Sequence, residues 1–195
     1  MDPLYLFVFA GLFSPGPNVI LITASGARFG MRRTVPHILG VAAGVGVTSA
    51  VTALGIGAVL LAVPALKLAL QVVAAAWILW MAWRLLRSRP GGGGAGDGRE
   101  RPFRFWEAVL FQWVNPKVWA VALAAASGYA SDLAPLPEAA RIASAFSGIN
   151  LFVCAFWAFA GTLLALLLRT PAAWRLFTTL MAGALALSGA MIFLA

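Results

Sequence analysis

Apolar residues in this chain come in long runs, not in alternating stripes. Stretches without a charged side chain extend from Pro3 to Ala27, Ile38 to Ala65, Leu68 to Trp83, Val118 to Ser131, Ile142 to Leu168 and Leu176 to Ala195. Four of the six reach the roughly 20 residues that a helix needs to cross a ~30 Å hydrocarbon layer. The pattern predicts six membrane helices, at about Leu4 to Ser25, Pro36 to Val63, Ala65 to Arg87, Phe105 to Tyr129, Ala139 to Arg169 and Pro171 to Ala195. A membrane barrel would instead show ~10-residue alternating segments. Between the third and fourth helices the glycine run of RSRPGGGGAGDGRER reads as a flexible linker. One membrane domain is therefore expected, with a three-helix repeat over 1–88, a linker over 89–104 and a second three-helix repeat over 105–195. Three crossings are an odd number, so the second repeat enters the membrane upside down. The expected fold is an all-α membrane protein of six transmembrane helices arranged as two inverted three-helix repeats, a common plan among transporters.

Two of these runs are interrupted at corresponding places. The first helix contains Pro15, Gly16, Pro17 and Asn18; the fourth contains Asn115, Pro116 and Lys117. Each break falls about eleven residues into its span, near the bilayer midplane. Irregular backbone at that depth is tolerated only where it is buried in protein or lines a wet cavity, because lipid offers no hydrogen-bond partner. Paired breaks in two repeats point to a substrate site where the repeats meet. Asn115 is suited to cap a half-helix that opens on Pro116, and Asn18 stands just after Pro17 at the start of a matching one. Two half-helix N-termini and Lys117 would favour an anion such as an α-carboxylate; Lys117 as a structural partner of freed carbonyls is the other reading. The prolines also free the carbonyls of Gly11, Phe13 and Gln112, four residues upstream, which suit an ammonium.

Composition agrees with the run pattern. Of 195 residues, 62% are hydrophobic and 10% charged, against about 25% charged in a soluble domain, and the mean hydropathy is +0.92. Fourteen Lys and Arg against six Asp and Glu give a net charge of +8. The basic residues flank apolar spans and do not form a soluble face, so they read as topology signals and not as a nucleic-acid surface. If the first helix enters from outside, eleven of them fall inside, and only Lys67 and Arg141 outside. By the positive-inside rule both termini are expected outside. Met1-Asp2-Pro3 lacks the basic start of a cleaved signal peptide. The single cysteine, Cys154, excludes an internal disulfide and a two-cysteine redox pair.

The segment SPGPNVILITASGARFGMRRTVPHILGVAAG, followed by EAVLFQWVNPKVWAVALAAASGYA, resembles the lysine exporter (LysE) family, including its threonine and homoserine exporter branch. The resemblance runs over nearly the whole chain, and Pro15, Gly16, Pro17, Asn115, Pro116 and Lys117 match the family's motifs. It implies a multi-pass protein of the cell (inner) membrane that moves amino acids or related small solutes out of the cytoplasm. Many members carry an acidic residue early in the second span. Here GVAAGVGVTSAVTALG has none, and Asp2, Asp97, Glu100, Glu107, Asp132 and Glu138 all lie in loops or near span ends. A neutral zwitterion is therefore the expected substrate, because a second positive charge near mid-membrane would find no carboxylate and would be repelled by Lys117.

The other polar residues carry weaker signals. Gly40, Gly44, Thr48 and Thr52 form a small-residue stripe that either packs against a neighbour or lines the cavity. Among the isolated polar residues of the later spans, Asn150 is the pathway candidate; His37 reads as interfacial. No enzyme is expected, since the spans hold no nucleophile arrangement or paired carboxylates, and no metal or cofactor is called for. The implied partners are a small-molecule amino acid and the lipid bilayer, with homo-oligomerisation left open. The alternatives in play are a non-transporting membrane assembly subunit and an exporter of another small solute.

Overall fold

The computed structural model describes residues 2–55, 63–88, 101–168 and 170–193, and for residues 66 and 67 the backbone only. The glycine run of the linker, the C-terminal end of the second expected helix, Arg169 and the side chain of Lys67 lie outside the described residues. Those described fold into seven helices and no strand: α1 (Pro3–Phe13), α2 (Pro17–Ala53), α3 (Pro64–Leu86), α4 (Phe105–Val114), α5 (Pro116–Gly128), α6 (Pro135–Leu164) and α7 (Pro171–Met191). Three of them, α2, α3 and α6, are long and apolar enough to cross a membrane; α4 and α5, bent by 68° at their junction, make a fourth if taken as one span.

Proline punctuates this chain. It stands in the first turn of α1, α2, α3, α5, α6 and α7, where its missing N–H would have had no helical partner and its fixed φ favours the helix. Asp2 completes the start of α1 by accepting from the Leu4 N–H at 2.9 Å, and Thr170 does the same for α7 through the Ala173 N–H at 3.1 Å.

The 37-residue α2 is two arms. Gly30 interrupts it with φ 76° and ψ 164°, a left-handed backbone that glycine adopts without the steric cost of a Cβ. A Cβ there would meet nothing within 4 Å, so conformation and not space requires the glycine. Positions nine apart on a straight helix lie ~13.5 Å apart along its axis; the Ser25 and Thr34 hydroxyls are 3.0 Å apart. The chain turns back at Gly30. The expected boundary at Pro36 is thereby corrected: the second arm is already helical from 31, and Pro36 sits inside it.

The two arms of α2 embrace α6. A Cβ on Gly26 would overlap the Ala158 carbonyl, and one on Gly161 would overlap that of Thr23; Thr162 Oγ1 donates to the Gly26 carbonyl at 3.2 Å. On the second arm, Ser147 Oγ donates to the Ala42 carbonyl at 3.1 Å. Small residues bring the backbones close enough for hydroxyl-to-carbonyl bonds between helices. The Gly40–Gly44 stripe packs against α4: added Cβ atoms would stand 2.8 Å from Ala108 Cβ and 2.7 Å from Gln112 Cγ. α3 and α7 run antiparallel, tied at one end by Gln71 donating to the Ile192 carbonyl (2.9 Å) and at the other by Trp174 donating to that of Ser88 (3.1 Å).

Candidate functional site

The two breaks meet. At the first, α1 ends at Phe13, Ser14 to Gly16 are non-helical, and α2 starts with Gly16 as its N-cap and Pro17 next. At the second, Asn115 alone separates α4 from α5, serving as C-cap of one and N-cap of the other. Side chains then cross from each break to the other. Asn18 Nδ2 donates to Gln112 Oε1 at 2.8 Å, and Gln112 Nε2 returns a bond to Asn18 Oδ1 at 3.3 Å. In the opposite direction, the Lys117 ammonium donates to the Ser14 carbonyl, to Ser14 Oγ at 2.9 Å and to the Pro15 carbonyl at 3.4 Å.

The Lys117 contacts have an electrostatic logic. Lys117 lies in the first turn of α5, where the helix dipole disfavours a cation, but its stem carries the charge to the C-terminal end of α1, where the dipole favours one. An ammonium has three donors, and three acceptors surround it. Gly16 lets the stem pass: a Cβ there would lie 2.8 Å from Lys117 Cδ and 3.0 Å from Nζ.

Of the residues singled out in the sequence, Gly16, Asn18, Asn115, Lys117 and Asn150 line one small cavity, completed by Leu12, Val19 and Val118. Pro15, Pro17 and Pro116 shape the breaks without lining it. The cavity measures about 10 Å³, room for about one water. Two of its lining side chains are buried with an unpaired polar atom: Asn115 Oδ1, an acceptor, and Asn150 Nδ2, a donor. Asn115 is 1% exposed and Asn150 2%. Leaving such a group unsatisfied costs roughly 1–3 kcal/mol, so a chain that keeps two of them beside one cavity invites a ligand-based explanation.

Two expectations need correction. Asn115 occupies the N-cap position, yet its side chain makes no cap hydrogen bond; its oxygen is left for the cavity. Two of the three carbonyls freed by proline already have partners, since Ser14 Oγ donates to Gly11 O at 2.9 Å and Asn115 N to Gln112 O at 3.2 Å. Sequence reasoning missed Ser14 as a partner for Lys117 and the Gln112 side chain as a partner for Asn18. The signal for Gln112 was available: a lone amide in an apolar stretch, about one helical turn before the break. His37, expected at the interface, is 2% exposed and thus buried within the protein. No group of three or more His, Cys, Asp or Glu suited to a metal occurs among the described residues.

The end of the bundle that holds Asp2 carries an ion-pair cluster. Arg141 bonds Asp2 Oδ2 at 2.6 Å and Glu138 Oε1 at 2.8 Å, and reaches the Tyr129 carbonyl. The arginines of the Gly30 turn, of the end of α3 and of the segment before α4 lie away from this cluster. There Arg101 pairs with Glu107, and Arg84 and Arg87 lie over the rings of Trp80 and Trp83 at 4.9 and 4.3 Å.

Comparison with known proteins adds a family. Curated relatives include the cysteine/O-acetylserine efflux proteins of Klebsiella pneumoniae subsp. pneumoniae, 31% identical over 54% of this chain and 52% of the relative, and of Salmonella typhimurium, 34% identical over 54% and 52%. The protein of that name from Escherichia coli O1:K1 / APEC is 28% identical over 80% of this chain and 79% of the relative. The chain thus spans about half the length of the first two. No solved structure matches it significantly. The LysE type translocator family model matches residues 9–195, nearly the whole sequence, and the chain belongs to that family.

Proposed function

We propose that this protein exports a neutral amino acid from the cytoplasm across the inner membrane, and that it holds its substrate where the two helix breaks meet. The observation that carries this reading is the pair of buried, unpaired amide atoms at the break cavity. They are complementary to a zwitterion: Asn115 Oδ1 accepts from an ammonium, and Asn150 Nδ2 donates to a carboxylate. The relatives named for cysteine and O-acetylserine efflux fit the same class, both compounds being neutral zwitterions.

A cavity of about 10 Å³ cannot admit an amino acid, so the arms around it must part. In this reading the Lys117 ammonium leaves the Ser14 and Pro15 oxygens for the substrate carboxylate as they do so, and returns when the site closes. The membrane arrangement is six spans in two inverted repeats, with α1 and the first arm of α2 as the first span and the second arm of α2 as the second. Supporting it, corresponding elements of the two halves pack on each other: the second arm of α2 on α6, and α3 on α7. The Arg-rich end faces the cytoplasm by the positive-inside rule, and both termini face outward.

The test is uptake of labelled amino acids into inside-out membrane vesicles containing the protein. O-acetylserine, cysteine, threonine or homoserine enters faster than lysine at equal concentration. Preference for lysine, or no uptake of any of them, would contradict the reading.

A further inference from the structure

A second cavity lies between the first arm of α2, the C-terminal end of α3 and the segment before α4. It measures about 70 Å³, and an adjoining one of about 150 Å³ shares Arg84, Arg101 and Phe103 with it. Arg28, Arg84 and Arg101 line the first cavity, and Arg84, Arg101 and the acid Glu107 line the adjoining one. Glu107 is already committed: Arg101 grips both its oxygens at 2.5 and 2.7 Å, and the Arg104 N–H takes one at 2.8 Å. Arg101 and Glu107 cancel, and Arg84 adds a positive charge to the space. Arg84 has no carboxylate partner among the described residues and lies over the Trp80 ring.

His37 closes the inner wall. It is 2% exposed, its ring lies 4.9 Å from that of Phe103, and neither ring nitrogen has a hydrogen-bond partner. A neutral imidazole offers one donor and one acceptor, and here both are unused beside a cavity. The walls on either side are Phe29 and Phe103. A guanidinium for an anion, an imidazole lone pair for an ammonium and aromatic flanks for an apolar side chain are the parts of an amino-acid site. A phosphate would use the first alone.

The position matches. Asn18 lines the break cavity; Leu21, Ser25 and Arg28 line this one, at helical spacings of three or four along the same arm. From Asn18 to Arg28 the arm rises ~15 Å, so a single helix face joins the two spaces.

We propose that this cavity is a second amino-acid site, a vestibule on the cytoplasmic side in which Arg84 takes the α-carboxylate and His37 the α-ammonium before the substrate moves to the breaks. This rests on the export reading above, which sets the Arg-rich end toward the cytoplasm.

The test is equilibrium binding of radiolabelled O-acetyl-L-serine to purified protein in phosphatidylcholine nanodiscs. Wild type, Asn150→Leu, Arg84→Met, Arg84→Lys and His37→Phe are compared, and circular dichroism checks the fold of each. Asn150→Leu keeps the vestibule site; added to Asn150→Leu, Arg84→Met and His37→Phe each weaken that remaining site at least about tenfold, and Arg84→Lys recovers part of the affinity. Binding that vanishes in Asn150→Leu and is unchanged in Arg84→Met overturns the vestibule and leaves the break site standing. Binding that ignores Asn150→Leu but is lost in Arg84→Met supports the vestibule and counts against the break site. Displacement of the Arg84-dependent ligand by equal concentrations of inorganic phosphate, or its loss in phosphatidylglycerol nanodiscs, would mark a general anion or lipid-headgroup site and overturn the assignment.

Discussion

The first break and the second do the same geometric job with different materials. The first takes three non-helical residues, Ser14 to Gly16, a proline on each side of Gly16 and no charge. The second needs Asn115 alone, yet bends the chain by 68° and brings two long polar side chains, Gln112 and Lys117. One break supplies carbonyls and a hydroxyl; the other supplies the donors that fill them. If the halves are inverted repeats, they are complements at their centre and not copies. In the proposed export cycle this cross-bonded junction is the closed state, and a substrate that offers equivalent partners opens it.

The largest effect falls on the residue that joins the breaks. Lys117→Met inserts and folds but loses export by roughly 100-fold, because no other side chain supplies the charge. Lys117→Arg retains a measurable fraction, since the charge remains while its planar fork fits three convergent acceptors poorly. Vesicle uptake normalised to protein level measures both. Gly16→Ala comes next. Its methyl meets Lys117 Cδ at 2.8 Å and Nζ at 3.0 Å, so the lysine is displaced and export falls by about 3- to 10-fold, less than on losing the ammonium. Equal export by this variant would mean that the first break does not hold the lysine.

Smaller effects concern the neutral bridge. Asn18→Leu and Gln112→Leu, alone and combined, should show a coupling of about 1 kcal/mol in detergent unfolding, the amount typical of paired buried amides. Simple additivity would remove the cross-link from the account. Least affected is Glu107→Gln, which loses an ion pair with Arg101 that is 43% and 40% exposed; such pairs contribute at most about 1 kcal/mol. Export survives it. Abolition of transport in a normally inserted Glu107→Gln protein would place coupling at Glu107 instead.

The breaks were legible in the sequence because Pro15, Gly16, Pro17 and Pro116 have no other easy place in uncharged apolar runs. Asn150 was legible for a similar reason, as an isolated amide with no charge nearby. What could not be read is which donor meets which acceptor. Asn115 has the residue type and position of a cap, but its oxygen is unpaired, because the pairing depends on where α1 and α6 pass. Lys117 illustrates the same limit: its neighbours Ser14 and Pro15 are about a hundred residues away in the chain. The Gly30 turn was hidden too. A glycine among arginines looks like a loop of several residues, whereas one positive φ suffices and helix resumes at once. His37 was read as interfacial from its place near a span end, while its burial comes from Phe103, which follows the linker.

The most direct test of the central claim is the concentration dependence of O-acetylserine uptake into inside-out vesicles by Asn150→Leu and Asn115→Ala proteins. Each substitution removes an unpaired buried amide atom, so neither should lower the melting temperature in detergent through that atom, while each deprives the substrate of a partner worth roughly tenfold or more in KM. The account predicts stable proteins with raised KM or no measurable uptake. Uptake by both variants with wild-type KM and rate would contradict it.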